Sequence, residues 1–187
     1  GVDVVFHNVA QVPLAKDKNL FNSVNINGTE NILNSCLKNN VNKIIYTSSS
    51  AVYGIPETNP VNEKMIPKPL EAYGSAKYIA ESSCKEYIKK GLNVIIIRPR
   101  TILGHGRLGI FQILFEWIRS GQNIPVLGNG NNVYQFIHAN DLANAIILSS
   151  DKNIKSGTYN CGTNRYGTMR QTLEKLCEHA NTGSEVK

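Results

Sequence analysis

KIIYTSSSAVYG, the sequence from Lys43 to Gly54, begins as a mostly apolar run and continues into three consecutive serines. A short apolar run without polar alternation is typical of a strand that is buried on both faces of a parallel sheet. The serines then follow the strand directly and place hydroxyl groups at one edge of that sheet. We predict a strand from Lys43 to Ser48.

The motif YGSAK, from Tyr73 to Lys77, begins 24 residues after Ser49. A tyrosine and a lysine four residues apart lie on one face of a helix, so the ammonium favours the ionised form of the phenol, whose pKa is ordinarily about 10. The phenol then becomes a usable general base. A serine that holds the substrate oxygen completes the acid-base half of a hydride transfer between an alcohol and a ketone; the other half requires a nicotinamide. The competing interpretation is an ordinary helix in which Tyr73 packs and Lys77 is solvated.

Alternating strands and helices surround these motifs. Further strands are predicted at Val2 to His7 and Asn93 to Arg98, and helices at Leu20 to Lys38 and Ala72 to Lys90. The buried face of the first helix is predicted to contain Val24, Gly28, Ile32 and Cys36. This β-α-β-α-β order predicts an α/β fold with a parallel sheet.

The regular alternation of predicted strands and helices ends near Gly104. An apolar segment at 110–118 and a turn-rich segment at 128–132 are followed by a short strand into His138, a helix to about Ser149, and a last helix at 168–180. We predict two domains: residues 1–103 as a partial dinucleotide-binding domain, and residues 104–187 as segments of a small substrate lobe interleaved with the last strand and helices of the sheet.

Composition and charge exclude several classes of protein. The net charge of +6 and the pI of about 9.1 come from scattered Lys and Arg residues, so we expect no nucleic-acid partner. The four cysteines show no Cys-x-x-Cys and no metal-ligand spacing, which favours reduced thiols in the cytoplasm and no metal site. No apolar run approaches the roughly 20 residues of a membrane span.

The chain resembles the extended short-chain dehydrogenase/reductase superfamily, the group of NAD-dependent epimerases/dehydratases. Besides the serine triplet and YGSAK, the resemblance rests on blocks that occur in the family's order: VDVVFHNVA at 2–10, VNINGT at 24–29, Arg98-Pro99 and FIHANDLA at 136–143. It implies a Rossmann-like fold, NAD or NADP as cofactor, a small-molecule substrate, and a homodimer built from the helices at Leu20 to Lys38 and Ala72 to Lys90.

The resemblance also implies roles for single residues. Tyr73 is the acid/base, Lys77 binds the nicotinamide ribose and lowers the pKa of the phenol, and Ser49 binds the reacting oxygen, with Ser48 and Ser50 as competing assignments. The cofactor contacts implied are His7, Val9, Ala10, Asn25, Thr47, Ser48, Tyr73, Lys77, Arg98 and Pro99. The substrate contacts implied are Ser49, Ser50, Arg100, Thr101 and Tyr134. For Asn25 a surface or capping role, and for His7 a structural role, are the alternatives.

The substrate class is indicated by departures from the family's pattern. Dehydratases of the family carry an Asp-Glu pair where this chain has Ser50 and Ala51, so elimination of water is not expected. Many nucleotide-sugar enzymes carry an Arg and an Asn where this chain has Tyr134 and Thr101, with Arg100 and Arg107 as candidate substitutes. A nucleotide-sugar epimerase is favoured narrowly over a reductase of a non-sugar ketone, similar to 3-beta-hydroxysteroid dehydrogenase or dihydroflavonol reductase. A non-catalytic cofactor-binding protein is the third alternative.

The glycine-rich turn of a dinucleotide-binding fold is not found at the start of this sequence. The one Gly-x-Gly-x-x-Gly, residues 104–109, follows the Arg98-Pro99 junction and has no acidic residue at the ribose spacing. We therefore expect the chain to be the middle of a longer protein and inactive by itself. The residue that selects between NAD and NADP would lie upstream.

Overall fold

The computed structural model describes residues 1–12, 20–106 and 111–187. The strands are β1 (Val4–His7), β2 (Lys43–Thr47), β3 (Val94–Pro99), β4 (Thr101–Leu103), β5 (Val133–Tyr134), β6 (Phe136–His138), β7 (Gly157–Cys161) and β8 (Gly167–Thr168). The α-helices are α1 (Gly28–Lys38), α2 (Ala72–Lys89), α3 (Phe111–Arg119), α4 (Ala139–Leu148) and α5 (Met169–Ala180). A π-helical stretch, Phe21–Asn27, leads into α1, and a 3-10 helix, Ser50–Tyr53, follows β2. Within the described residues, no helix is both long and apolar enough to cross a membrane.

A parallel sheet with strand order β1-β2-β3-β7 confirms the predicted α/β fold. The isoleucines of β2 and the first four residues of β3 are buried, as continuous apolar strands between helices require. Because the strands are parallel, the residues that follow β1, β2 and β3 lie at one edge of the sheet, where ligands of such folds bind. The candidate site residues of these three segments therefore share one edge.

The predicted buried face of the first helix is wrong by one residue at most positions. The side chains that are buried are Phe21, Asn25, Thr29, Leu33 and Cys36. The predicted residues and the first four buried ones are both spaced by four, so the prediction has the wrong register: it follows apolar residues, whereas two of the buried positions hold the polar Asn25 and Thr29. The polar residues at two of these positions are accommodated because their side chains make hydrogen bonds within the protein.

The described residues form two compact units. The sheet unit comprises Gly1–Arg100 and Asp141–Cys161, and the second unit comprises Thr101–Asn140 and Gly162–Lys187. The sheet unit has a core in which α1 and α2 pack on β2 and β3. The second unit has a separate core around Ile118, Ile124, Leu173 and Cys177. The domain division predicted at 103/104 stays a prediction.

A buried lysine ties the start of β2 to the segment that follows α4. Lys43 is buried, and its ammonium donates to the carbonyl oxygens of Ser149 at 3.4 Å, Ile154 at 3.1 Å and Asp151. Carbonyl groups at a helix C-terminus lack partners within the helix and carry partial negative charge. The Lys43 ammonium supplies both the donors and the opposite charge.

The homodimer predicted from the helices at Leu20 to Lys38 and Ala72 to Lys90 stays a prediction, and the apolar residues of these helices differ in their exposure. Leu33 is only 1% exposed and belongs to the core, whereas Ile32 and Ile79 are 37% and 47% exposed. A partner would therefore have to cover these isoleucines of α1 and α2. Light scattering of the full-length protein tests the dimer.

Candidate active site

Lys77 is buried and directed at the end of β2. Its Nζ donates to the carbonyl oxygen of Thr47 at 2.8 Å and lies 4.8 Å from the centroid of the Tyr46 ring. Burial lowers the pKa of Lys77 to about 8, against the opposing effect of Cys84 and Glu81. The ammonium form therefore exists at neutral pH and is lost in the mildly alkaline range.

Tyr73 lies at the start of α2, where the helix approaches the 3-10 helix that follows the serines. The ring of Tyr73 is half-buried, with its centroid 6.3 Å from that of Phe21 in an edge-to-face arrangement. At the adjacent Gly74, a Cβ atom would lie 2.6 Å from the carbonyl oxygen of Ala51. Only glycine permits this approach, which brings the turn of α2 that carries Tyr73 against the segment that carries Ser49.

The three serines after β2 have different environments. Ser48 is buried, and its hydroxyl donates to Glu81 Oε1 at 2.6 Å. Ser49 is half-buried, and its Oγ accepts the backbone N–H of Ala51 at 3.1 Å. Because that bond uses Ser49 Oγ as an acceptor, its hydroxyl hydrogen can still be donated to a substrate oxygen. This difference favours Ser49 over Ser48; Ser50 is half-buried in the first turn of the 3-10 helix.

His7 makes a structural hydrogen bond. Thr29 Oγ1 donates to the carbonyl oxygen of Asn25 at 2.7 Å, so the 2.9 Å contact between His7 Nε2 and Thr29 Oγ1 has the imidazole as donor. Burial, and then the charge of Lys77, lower the pKa of His7 to about 4. A neutral His7 with its Nε2–H bound to Thr29 fits the structural interpretation.

Asn25 holds the segment that follows β1. Its amide accepts from the backbone N–H of Gln11 at 2.7 Å and donates to the carbonyl oxygen of Gln11 at 3.0 Å. Val9 is exposed and Ala10 half-buried just before this anchor. Thr47 Oγ1 donates to Asn8 Oδ1 at 2.6 Å, which links the ends of β1 and β2. Direct cofactor contacts of these residues stay predictions.

Arg98 is buried at the end of β3 and is bound by protein groups. Its Nε and one terminal nitrogen donate to the two carboxylate oxygens of Glu81 at 2.8 and 2.5 Å, and the other terminal nitrogen donates to Tyr53 Oη at 2.7 Å. Pro99 is buried beside it. A contact of either residue with a cofactor stays a prediction.

Glu81 and Tyr53 bind residues of the candidate site, and the sequence did not predict this role for either of them. A usable signal exists for Glu81, which follows Lys77 by four residues and Tyr73 by eight and therefore lies on the same face of α2. Nothing in the local sequence indicates its pairing with Arg98.

Thr101 and Tyr134, two of the predicted substrate contacts, meet in the second unit. Thr101 Oγ1 lies 2.8 Å from Tyr134 Oη, and the Tyr134 ring packs 5.0 Å from that of Phe136. Arg100 has a buried Nε without a hydrogen-bond partner among the described residues. Arg107 lies outside them.

An open cavity of about 470 Å³ lies within the second unit. Aromatic rings of Tyr134, Phe136 and Tyr166 line it together with Arg165 and Lys175. No described residue of its lining is acidic. The cavity therefore suits a ligand that combines an anionic group with a flat or apolar one.

The sequence pattern of the NAD dependent epimerase/dehydratase family matches residues 1–162. The chain belongs to this family. The resemblance inferred from the motifs is thus confirmed, and the predicted cofactor class is confirmed at the level of the family.

Three curated relatives show the range of the family around this chain. The uncharacterized protein y4nG of Sinorhizobium fredii is 54% identical over 100% of the chain and 47% of its own length. The putative UDP-glucose 4-epimerase of Methanocaldococcus jannaschii is 30% identical over 92% and 59%. The human sterol-4-alpha-carboxylate 3-dehydrogenase, decarboxylating, is 30% identical over 84% and 44%. The chain spans about half the length of these relatives.

Solved structures agree with the fold. The UDP-glucose 4-epimerase of Thermus thermophilus, crystallised in complex with NAD, is 27% identical with a TM-score of 0.83. The match covers 100% of this chain and 64% of that one. The Rossmann-like sheet predicted from the sequence is therefore confirmed.

We predict that Gly74→Ala weakens the contact between α2 and the serine segment. The added methyl group would meet the Ala51 carbonyl oxygen at 2.6 Å, so the helix must move, at a cost of about 1–3 kcal/mol in the free energy of unfolding. Gly28→Ala is the matched control, since its nearest neighbour is Ser23 O at an ordinary 3.5 Å. Urea unfolding measures the free energy of unfolding of both variants. Equal losses would contradict the close approach of Gly74 to the Ala51 carbonyl.

We predict that Lys77→Met changes how stability depends on pH. Between pH 8 and 10.5 the unfolded wild type keeps the Lys77 proton whereas the folded state has released it, so raising the pH favours folding. The wild type should gain on the order of 3 kcal/mol relative to the variant across this window. Denaturant unfolding at several pH values measures the difference, with Lys85→Met on the exposed face of α2 as control. A difference in the free energy of unfolding that stays constant with pH would show that folding does not lower the pKa of Lys77.

Proposed function

We propose that this chain carries the acid-base half of an NAD-dependent oxidoreductase that acts on a secondary alcohol or ketone carbon, and that its substrate is a nucleotide sugar. The supporting observation is the attachment of α2 to the serine segment. Lys77 binds the Thr47 carbonyl on one side of Ser49, and Gly74 packs against Ala51 on the other. Tyr73 and Lys77 thus belong to the helix that flanks the predicted substrate-binding serine.

The described residues fit a dinucleotide at this edge of the sheet. An ammonium has three N–H donors, and one of those of Lys77 is directed at Thr47 O, which leaves donors for ribose hydroxyl groups. The backbone after β1 is anchored by Asn25 while Val9 remains exposed. When bound there, a nicotinamide supplies the site that accepts or returns a hydride.

The proposed work of the chain's own residues is to hold and move one proton. Ser49 donates its hydroxyl hydrogen to the substrate oxygen and fixes it. The Tyr73 phenolate removes the proton from the substrate hydroxyl as the hydride leaves the carbon, and the phenol returns it in the reverse step. The nearby Lys77 charge stabilises the phenolate.

The charged cavity of the second unit supports an anionic substrate. Arg165 and Lys175 line it beside aromatic rings, and this chemistry matches a diphosphate joined to a base. The relative in M. jannaschii and the T. thermophilus structure bear names of UDP-sugar epimerases. An epimerase is therefore the favoured form of the function.

A non-sugar dehydrogenase is the second candidate. The human sterol dehydrogenase covers most of the chain at the same identity as the M. jannaschii relative, and Tyr134 with Phe111 and Phe136 forms an aromatic cluster. Turnover of a sterol with no turnover of UDP-glucose would favour it. A non-catalytic cofactor-binding role is distinguished by the absence of hydride exchange with labelled NAD.

We predict that Tyr73→Phe in the full-length protein lowers turnover of UDP-glucose about 100-fold or more, because the acid/base is removed while the ring remains. NAD affinity should be retained. Tyr78→Phe, at a half-buried tyrosine of the same helix, is the control and should leave turnover near the wild-type value. Normal turnover of Tyr73→Phe would remove Tyr73 from the mechanism.

We also predict that the reaction forms no dehydrated product. Elimination of water needs an acid and a base besides the tyrosine, and Ser50 and Ala51 supply neither. Incubation of the full-length protein with UDP-glucose and NAD should give the 4-epimer or an oxidised product, read by mass spectrometry and chromatography. A product lighter by one water would mean that other residues provide the acid/base pair.

A further inference from the structure

Two successive turns of α2 hold two successive residues at the end of β2. Lys77 donates to the carbonyl oxygen of Thr47 at 2.8 Å, and Glu81, one turn later, accepts the hydroxyl of Ser48 at 2.6 Å. The backbone N–H of Ser48 is also fixed, since it donates to the carbonyl oxygen of Ile97 at 2.7 Å. Ser48 is therefore held by both its backbone and its side chain.

Ser49 lies between this anchor and a second one. On its other side Ala51 packs against the backbone of Gly74 and donates its N–H to Ser49 Oγ at 3.1 Å. A side chain between two fixed neighbours has few orientations available. The direction of the Ser49 hydroxyl thus depends on how firmly Ser48 is held.

The carboxylate that holds Ser48 is itself fixed from the opposite side. Arg98 binds both oxygens of Glu81, and Tyr53 accepts from Arg98 and donates to Asn160 Oδ1 at 2.8 Å. A buried carboxylate requires such a partner, because an unpaired one is strongly destabilising. The network connects α2, β3, the 3-10 helix and β7, and it ends at Ser48, the residue that follows β2 and precedes Ser49.

We propose that Glu81 is a positioning residue of the candidate active site, and that it acts through Ser48 to fix the Ser49 hydroxyl relative to Tyr73 and Lys77. The inference rests on the proposed function for its catalytic consequence, but the positioning itself is a property of the folded protein. Glu81 also favours the charged form of Lys77, which faces Tyr46, His7 and Cys84 as well. Glu81 touches neither substrate nor cofactor in this proposal.

The test removes the hydrogen bond between Ser48 and Glu81 and leaves the ion pair between Glu81 and Arg98. Replacing Glu81 itself leaves Arg98 as a buried, unpaired cation and is expected to unfold the protein. Ser48→Ala removes only the contact of Ser48 with Glu81. Asn160→Ala is the matched control: it removes one neutral hydrogen bond, the one from Tyr53, at the far end of the same network and leaves the contact of Ser48 with Glu81 intact.

The first readout needs no substrate. Amide hydrogen exchange of Ala51 reports the position of Ser49 Oγ, which accepts its N–H. We expect Ser48→Ala to speed this exchange about ten-fold and Asn160→Ala to leave it unchanged at a similar loss of global stability. Equal exchange in the two variants would overturn the proposal, since the network would then be structural only.

The second readout is the kinetics of the full-length protein with UDP-glucose and NAD. Positioning predicts that Ser48→Ala lowers kcat about ten-fold with an unchanged Kd for NAD, whereas Asn160→Ala keeps kcat. A raised Kd for NAD with normal kcat would instead make Ser48 a cofactor contact and overturn the proposal. If the wild type turns over no UDP-glucose, the proposed substrate fails, and the exchange of Ala51 still decides whether Glu81 positions Ser49.

Discussion

The buried ion pair between Glu81 and Arg98 is the interaction on which the geometry of the site depends. Removing two charges from water is costly, and the pair offsets this cost with two hydrogen bonds between its members and further hydrogen bonds to neighbouring hydroxyl groups. Those groups belong to Ser48, directly after β2, and to Tyr53, in the 3-10 helix that follows, whereas Glu81 and Arg98 belong to α2 and β3. The Glu81 carboxylate must be bound by hydrogen-bond donors, and these donors hold several backbone segments at the same edge of the sheet. Apolar packing alone would fix them less specifically, because dispersion contacts have no direction.

The chemistry of the site is a compromise between burial and charge. Lys77 is buried at the strand end, whereas the proposed function requires it as a cation, and burial lowers its pKa. The packed core formed by α1, α2 and the sheet stabilises the folded state and offsets the cost of burying this charge. A residue that destabilises the fold at the point where function needs it is common in enzymes. In this chain the charge lies one helical turn before Glu81, which binds Ser48 and Arg98.

Much of the fold followed from local pattern, and much of the site did not. Continuous apolar runs located β2 and β3 to within one residue at either end, and the spacing of Tyr73 from Lys77 placed both on α2. The buried face of the helix before Lys38 was missed because two of its positions hold the polar Asn25 and Thr29, whose hydrogen bonds with Gln11 and His7 are set by tertiary structure. Arg98 was recognised as the end of a strand, but the direction of its guanidinium depends on a carboxylate 17 residues earlier. Such pairings are set by tertiary structure and are not visible in a single sequence.

Lys43 gives the protein an internal reporter of its own opening. Its amine is enclosed and bound by three carbonyl groups, so acylating reagents in water cannot reach it while β2 and the end of α4 stay together. Exposed amines such as those of Lys64 and Lys68 react in the folded state, and Lys43 reacts only in molecules that have opened. The rate at which Lys43 is labelled therefore measures how often the start of β2 separates from the segment that follows α4.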